Sequence, residues 1–362
     1  MIIRWLNSIR CEFRDLKIGV LKKSILFFLP VLDRVKPVRN IVDLLQYGDS
    51  DIGNELVNGQ YIFAGVKFDL DVDNPWLIEI PSPEVEQKLH GFFWLNDLAA
   101  LGNLKASSKA EEWITKWHYY NSIGKQIGWD ADITALRCIN LMRNWKFLKK
   151  TSTHNVKNNQ KFLWRQYKFL VLIFRFYPRG QKKVKIVFSI FLLTIFFDLK
   201  AQIKKKILKK LCQLLKDIVD LEGQISGRSP EDLFDYFIIL LDVLSINEQK
   251  KLLSKNDHAG LQILKNTIVP ILRGLRLGDG SLTRSHGGDV GNIGLIDNYL
   301  VNSNVKAPTA FSNILGYERI TAGRLILIVD CAKPYQGIEL DSPHASCLSF
   351  ELSSGQRPIF VN

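Results

Sequence analysis

The chain has 362 residues, with 49 Lys and Arg against 36 Asp and Glu, a formal net charge of +13. With 46% hydrophobic and 23% charged residues it carries enough apolar material for a sizeable core, which excludes a disordered tail or a collagen-like fibre and suits roughly two domains. Five cysteines (Cys11, Cys138, Cys212, Cys331, Cys347) form no C-x-x-C pair, and no two of the six histidines stand at i, i+4, so no zinc ribbon, redox motif or helical metal pair can be drawn. The cysteines read as buried free thiols.

The N-terminal stretch offers basic residues and a short apolar run from Ser24 to Leu32, without a small-residue cleavage site after it. It reads as a basic, amphipathic segment over 1–56, with an uncleaved export segment left open. From about residue 84 to 275 apolar residues recur at three- and four-residue intervals, which predicts helices over 84–102, 107–120, 131–148, 156–176, 183–197, 200–220, 230–244 and 257–274. Ser107 with Glu111 and Glu112, Ser229-Pro230-Glu231-Asp232, and Asp257 supply start signals. Helices of this length on short connections pack antiparallel, as a bundle, solenoid or ring of helical hairpins, so 57–275 reads as one helical domain.

Two helices in this stretch stand out. Ile186 to Phe197 is intensely apolar but only twelve residues long, where a bilayer crossing needs about 20, so it reads as a buried helix. After it, Ile203, Ile207, Leu211, Leu214 and Ile218 recur at helical spacing, while Lys200, Lys204, Lys205, Lys206, Lys209, Lys210 and Lys216 occupy much of the rest. Those lysines read as a solvated outer face, with a peripheral membrane contact or phosphate binding as the alternative.

Near residue 276 the texture changes to a Gly- and Asp-rich loop, read as a linker over 276–309. Residues 310–362 then read as about four short strands in two hairpins, one around Ala322-Gly323 and one around Ser354-Gly355. A sheet of that size exposes an unpaired edge, so the strands either pack on the helices or form the front part of something longer.

Several stretches together resemble the bacterial heparinase II/III-like family of polysaccharide-lyase relatives. They are Leu89-His90-Gly91-Phe92-Phe93-Trp94, then Gly128-Trp129 with Arg137, Asn140 and Trp145, then Leu221-Glu222-Gly223-Gln224 followed by Ser229-Pro230. Gly278-Asp279-Gly280 and Gly316-Tyr317-Glu318-Arg319 follow, and the most specific is His344-x-x-x-Leu348-Ser349-Phe350-Glu351-Leu352. The resemblance implies a mainly α, multidomain α+β protein: an incomplete (α/α) toroid followed by the start of an antiparallel β-sandwich. It further implies a lyase that cleaves an acidic, uronate-containing glycan by β-elimination, needing a carboxylate neutraliser, a base and an acid. The alternative is an inactive or truncated relative that binds an anionic envelope polysaccharide.

By the same resemblance His344 is the first choice for base or carboxylate contact, and Gln224 would neutralise the carboxylate. Tyr317 matches a Gly-Tyr motif, and His286 stands in a loop flexible enough to reach a cleft. Arg228 and Arg137 would face an anionic glycan, Trp94 would stack on a sugar, and His90 joins them as a substrate contact. Where active members carry a Tyr-His pair after the Ser-Pro, this chain has Asp232-Leu233, and the nearest tyrosine is Tyr236. The segment from Gln160 to Pro178 holds no counterpart of the family's Asn-rich neutralising motif. The implied partner is an acidic polysaccharide and not a nucleic acid, in the periplasm or cell envelope, with the cytoplasm left open for want of a clear signal peptide; no cofactor is implied, with a structural divalent metal left open.

Overall fold

The computed structural model describes residues 17–26, 40–45, 47–63, 66–69, 75–77, 79, 82–121, 128–150, 153–178, 180–217, 227–307, 314–333 and 346–362. The chain forms two compact units, Met1–Pro178 with Lys185–Ile207, and Arg179–Val184 with Leu208–Asn362. The division falls inside the helical stretch, so the last helices belong with the strands.

In the first unit a helix at 17–26 (α1) precedes α2 (Ser50–Val57), an antiparallel hairpin of β1 (Gln60–Phe63) and β2 (Val66–Asp69), α3 (Pro83–His90) and α4 (Trp94–Leu101). Then come α5 (Leu104–Tyr120), α6 (Ala131–Arg143), α7 (Trp145–Leu148), α8 (Thr153–Ile173), α9 (Gln181–Phe196) and α10 (Ala201–Lys216), the last two extending across the division. α2 seats directly on the backbone of α4. A Cβ on Gly48 would fall 2.1 Å from Asn96 O and one on Gly53 2.4 Å from Asp97 O, so neither position accepts a side chain.

Two predicted helices are each divided. The 84–102 pattern breaks at 91–93, where Phe92 takes φ 60°, and the carbonyls freed there find side-chain donors. Arg137 Nη1 donates to His90 O (2.9 Å) and Asn140 Nδ2 to Gly91 O (2.9 Å). The 131–148 pattern breaks at Asn144, whose Nδ2 donates to Asn96 Oδ1 (2.8 Å) and Asn140 O (3.0 Å). Periodicity alone cannot show such breaks, because both halves keep their apolar faces inward. α5 also starts earlier than Ser107: Asn103 caps it, accepting from Ala106 N at 2.8 Å.

The apolar run of α9 is buried from Ile186 to Phe197, and among the described residues no helix is long and apolar enough to cross a membrane. In α10 the buried face is Leu208, Leu211, Cys212, Leu214 and Leu215, whereas Ile203 is exposed; Ile218 lies outside the described residues. Lys205, Lys206 and Lys209 are exposed.

The second unit contains α11 (Pro230–Lys250), α12 (Lys255–Gly274), α13 (Ile293–Asn302) and a four-stranded antiparallel sheet in the order β3 (Tyr317–Ala322), β4 (Leu325–Asp330), β5 (Phe350–Ser354), β6 (Arg357–Phe360). Ser229 and Ser254 cap α11 and α12. Both hairpins turn where expected, on Gly323 (φ 59°) and Gly355 (φ 54°), in the left-handed region that tight two-residue turns require. One sheet face is buried, carrying Tyr317, Ile328, Asp330, Glu351 and Ser353. The stretch read as a linker over 276–309 contains α13, capped by Asn292 and buried through Ile296, Tyr299 and Leu300.

The Gly-rich loop ahead of α13 is tied to the strands rather than free. Gly278 N donates to Ser353 Oγ (3.0 Å), Arg284 N to Glu351 Oε1 (2.8 Å) and His286 N to Ser346 Oγ (3.0 Å). A Cβ on Gly278 would lie 1.9 Å from Gly355 O, so the loop and the β5–β6 turn touch backbone to backbone.

Candidate active site

In the second unit three residues singled out separately in the sequence meet on a fourth. Asp330 ends β4 with its side chain wholly buried. One of its oxygens accepts from Arg228 Nη1 at 2.6 Å, and the other lies 2.8 Å from His286 Nε2. Tyr317, opposite Asp330 across the β3–β4 pair, sets its ring edge-on to the His286 ring at 6.4 Å and donates its hydroxyl to Arg228 O at 2.9 Å. Arg228 (φ 50°) and His286 (φ 54°) both adopt the left-handed backbone region, a conformation that non-glycine residues hold only when their surroundings fix it. Gly316 permits the approach, because a Cβ there would lie 2.3 Å from that of Ala332.

Each contact has a chemical consequence. A buried carboxylate bonded to one imidazole nitrogen fixes the orientation of the ring and stabilises its protonated form, which equips a histidine to take a proton. The Arg228 charge compensates the Asp330 charge, and the guanidinium is itself buried. Burial lifts the Tyr317 hydroxyl above the usual tyrosine range, so this group keeps its proton and serves as a hydrogen-bond donor. Tyr236 lies buried in α11. His344 and Gln224 lie outside the described residues.

The other sequence candidates are in the core of the first unit. Arg137 is fully buried and spends its donors on His90 O, Gly128 O (2.7 Å), Gln166 Oε1 (2.8 Å) and Thr134 Oγ1 (3.2 Å), with the Trp117 ring 4.2 Å from its guanidinium carbon. Burial pushes it down to about 9. His90 accepts from Trp117 Nε1 (2.9 Å), and burial, with Arg137 beside it, pushes it down to about 3. Trp94 is buried among Phe92, Trp113 and Trp76, its Nε1 donating to Leu89 O. In this arrangement Arg137, His90 and Trp94 build the core and do not face a glycan; the Gly-Phe-Phe-Trp stretch is a packing motif.

What the sequence reading missed in this unit is a cavity of about 260 Å³ lined by Glu111, Thr115, His118, Asn158, Asn159, Lys161, Phe162 and Arg165. His118 meets the Phe162 ring edge-on at 4.0 Å, and its Nε2 has no hydrogen-bond partner among the described residues. Burial pushes it down to about 4, against a hydrogen bond with Asn159, so at neutral pH it is an uncharged imidazole. Amides and cations around an apolar ring make a cavity that can accept a carboxylate on a flat, partly apolar ligand. Asn158 and Asn159 stand immediately before the segment from Gln160 to Pro178, so the signal for an amide pair was present one residue outside it.

A family model, Heparinase II/III-like, C-terminal, matches residues 305–362. No curated protein matches the chain at a significant level. Among solved structures the chain is similar to heparinase III, at 12% identity and TM-score 0.63, covering 94% of this chain and 62% of that one. It is also similar to the heparan sulfate lyase HepC from Pedobacter heparinus, at 15% identity and TM-score 0.50, covering 95% and 60%. The chain thus spans about three fifths of the length of these structures. The likeness shows the fold, an incomplete (α/α) toroid followed by antiparallel β-sandwich strands, as the family resemblance implied. Residues 305–362 are thus similar to the heparinase II/III-like C-terminal family, and the chain as a whole shares the fold of heparinase III.

Proposed function

We propose that this protein is a heparinase II/III-like polysaccharide lyase that cleaves a uronate-containing glycan by β-elimination. The observation that carries the reading is His286 Nε2 bonded to the buried Asp330 carboxylate, itself compensated by Arg228. β-Elimination breaks the C5–H and C4–O4 bonds of the uronate and forms a C4–C5 double bond. The C5 proton becomes acidic only when the neighbouring carboxylate is neutralised. In this reading a histidine takes the C5 proton, His286 or His344, the amide of Gln224 neutralises the carboxylate, and the departing O4 takes its proton from the histidine so charged or from water. Solved structures with the same fold include a heparan sulfate lyase, which supports a sulfated or unsulfated uronate polymer as the substrate class. The reading assigns no cofactor, and it places the protein where such polymers occur, in the periplasm or cell envelope.

The test is a panel of acidic polysaccharides followed in the near ultraviolet, where the unsaturated uronate absorbs. Product is expected from at least one polymer, and His286→Ala or His344→Ala is expected to lower kcat by about 10²-fold or more. Absence of product across the panel would overturn the reading. It would then favour a non-catalytic relative that binds an anionic envelope polysaccharide, for which the exposed Lys205, Lys206 and Lys209 are the supporting feature.

A further inference from the structure

Cys138 and Cys212 are buried, as the sequence reading has it for the whole set, and Cys11 lies outside the described residues. Cys331 and Cys347 are exposed, because they stand where β4 leaves the sheet and where the chain comes back to enter β5. Their mutual position follows from the ladder. β4 and β5 are in register through Val329 opposite Phe350. Past that pair, Asp330 N donates to Ser349 O (2.9 Å) while Leu348 N donates to Asp330 O (2.9 Å), and Leu348 takes φ 64°. Two residues, Leu348 and Ser349, therefore oppose the single residue Asp330, which is a β-bulge with its first residue in the left-handed region.

Beyond the bulge the chain turns, Ser349 N donating to Ser346 O at 3.0 Å, and Cys331 and Cys347 are the residues that adjoin the Leu348 N–Asp330 O hydrogen bond on its two sides. Residues that flank one backbone hydrogen bond in this way bring their Cα atoms to about 4.5–5.5 Å. That separation is inside the range disulfides span, about 4.4–6.8 Å. The side chains agree: Cys347 Sγ donates to Ala332 O at 3.5 Å, so this thiol already lies beside the backbone that follows Cys331. Asp330 points to the buried face of the sheet, and both cysteines lie on the exposed side.

We propose that Cys331 and Cys347 are a redox-active pair that closes reversibly into a disulfide, fastening the start and end of the 332–346 connection, which carries His344. With a low-molecular-weight disulfide such as oxidised glutathione as the oxidant, one cysteine thiolate attacks a glutathione sulfur, forming a mixed disulfide and expelling one glutathione thiolate. The second cysteine thiolate then attacks the protein sulfur of that mixed disulfide and expels the other. Two protein thiols are oxidised, one glutathione disulfide is reduced to two thiols, and the two protein protons end on those thiols. The inference is independent of the lyase reading, since it requires only the β4–β5 ladder.

The experiment incubates the full native chain with oxidised glutathione, alkylates the remaining thiols and maps the peptides by mass spectrometry without reduction. A peptide joining Cys331 to Cys347 is expected, with both residues withdrawn from alkylation and both returned by dithiothreitol. In Cys331→Ser, Cys347 is expected to stop at the glutathione adduct, and circular dichroism confirms that this exposed-site variant is folded. Recovery of Cys331 and Cys347 in the native chain as two separate glutathione adducts, as two alkylated thiols, or joined to other cysteines would overturn the proposal.

Discussion

Each unit buries an arginine, and the two are compensated in opposite ways. Arg137 in the first unit has no carboxylate partner among the described residues: its charge rests on the oxygens of His90, Gly128, Gln166 and Thr134 and on the face of Trp117. Arg228 in the second unit faces Asp330, and the far oxygen of that carboxylate holds His286. In the first unit the cation staples helix ends and loops together, and nothing chemical is left over. In the second the cation balances an anion whose remaining oxygen orients an imidazole. A buried arginine is therefore no sign of anion recognition by itself; what its partner goes on to touch distinguishes a staple from a site.

The largest expected effect separates the two at the level of stability. Arg137→Met would leave four buried oxygen acceptors without this donor at about 1–3 kcal/mol each, so a loss of about 5 kcal/mol or more is expected, with Arg137→Lys failing to rescue it because an ammonium cannot serve the forked geometry. All eight tryptophans lie at or before residue 164, so tryptophan fluorescence during denaturant unfolding reports the first unit alone. A loss below about 1 kcal/mol would break the staple half of the comparison.

A somewhat smaller effect is expected in the second unit. Asp330→Asn leaves Arg228 buried without its counter-charge, which costs about 3–5 kcal/mol, read as faster hydrogen exchange of the β3–β4 amides. Adding Arg228→Met to Asp330→Asn should restore part of that protection, because the two groups share one interaction. Additive losses would show that the pair is not coupled, and the second half of the comparison would fail.

The smallest effect sharpens the comparison through pH. His90 and His118 are held below their ordinary 6.5, at about 3 and about 4, so their contributions are complete above pH 6.5 and are lost as pH falls towards those values. Asp97 behaves in the reverse sense. Burial, with the Asp49 charge nearby, raises it from 3.8 to about 7, so its contribution is complete below pH 3.8 and is lost as pH rises through 7. Each group contributes a slope of up to about 1.4 kcal/mol per pH unit, and between pH 4 and 6.5 the slopes oppose. Asp97→Asn is expected to steepen the rise of first-unit stability with pH, and His90→Asn to flatten it. A change in the same direction for both variants would contradict the assignments.

Much of the fold was legible because helices with one buried face repeat on a 3.6-residue period, as in α8, α11 and α12, and because Gly323 and Gly355 mark tight turns. The breaks at 91–93 and Asn144 were not, since the first is held by Arg137 and Asn140, 47 and 49 positions away from the carbonyls they meet, and the second meets Asn96, 48 positions away. α13 was hidden by the glycines before it. Of the candidate site, Arg228, His286 and Tyr317 were each picked out from local motifs, but their meeting point was not. Asp330 follows Leu-Ile-Leu-Ile-Val and reads as the end of an apolar strand; only the β3–β4 register, and loops that return from positions 228 and 286, give it a function.

The loop carrying His286 has a further consequence for how the protein is made. Its anchors are Ser346, Glu351 and Ser353, together with Asn362, whose Nδ2 donates to Arg284 O at 2.7 Å. All lie 60 to 78 positions downstream of the residues they hold. On a translating ribosome the loop is synthesised well before any of its anchors, so His286 cannot take its place until strand β5 arrives. The segment from Ser346 onward thus sets the earliest time at which the candidate site comes into being.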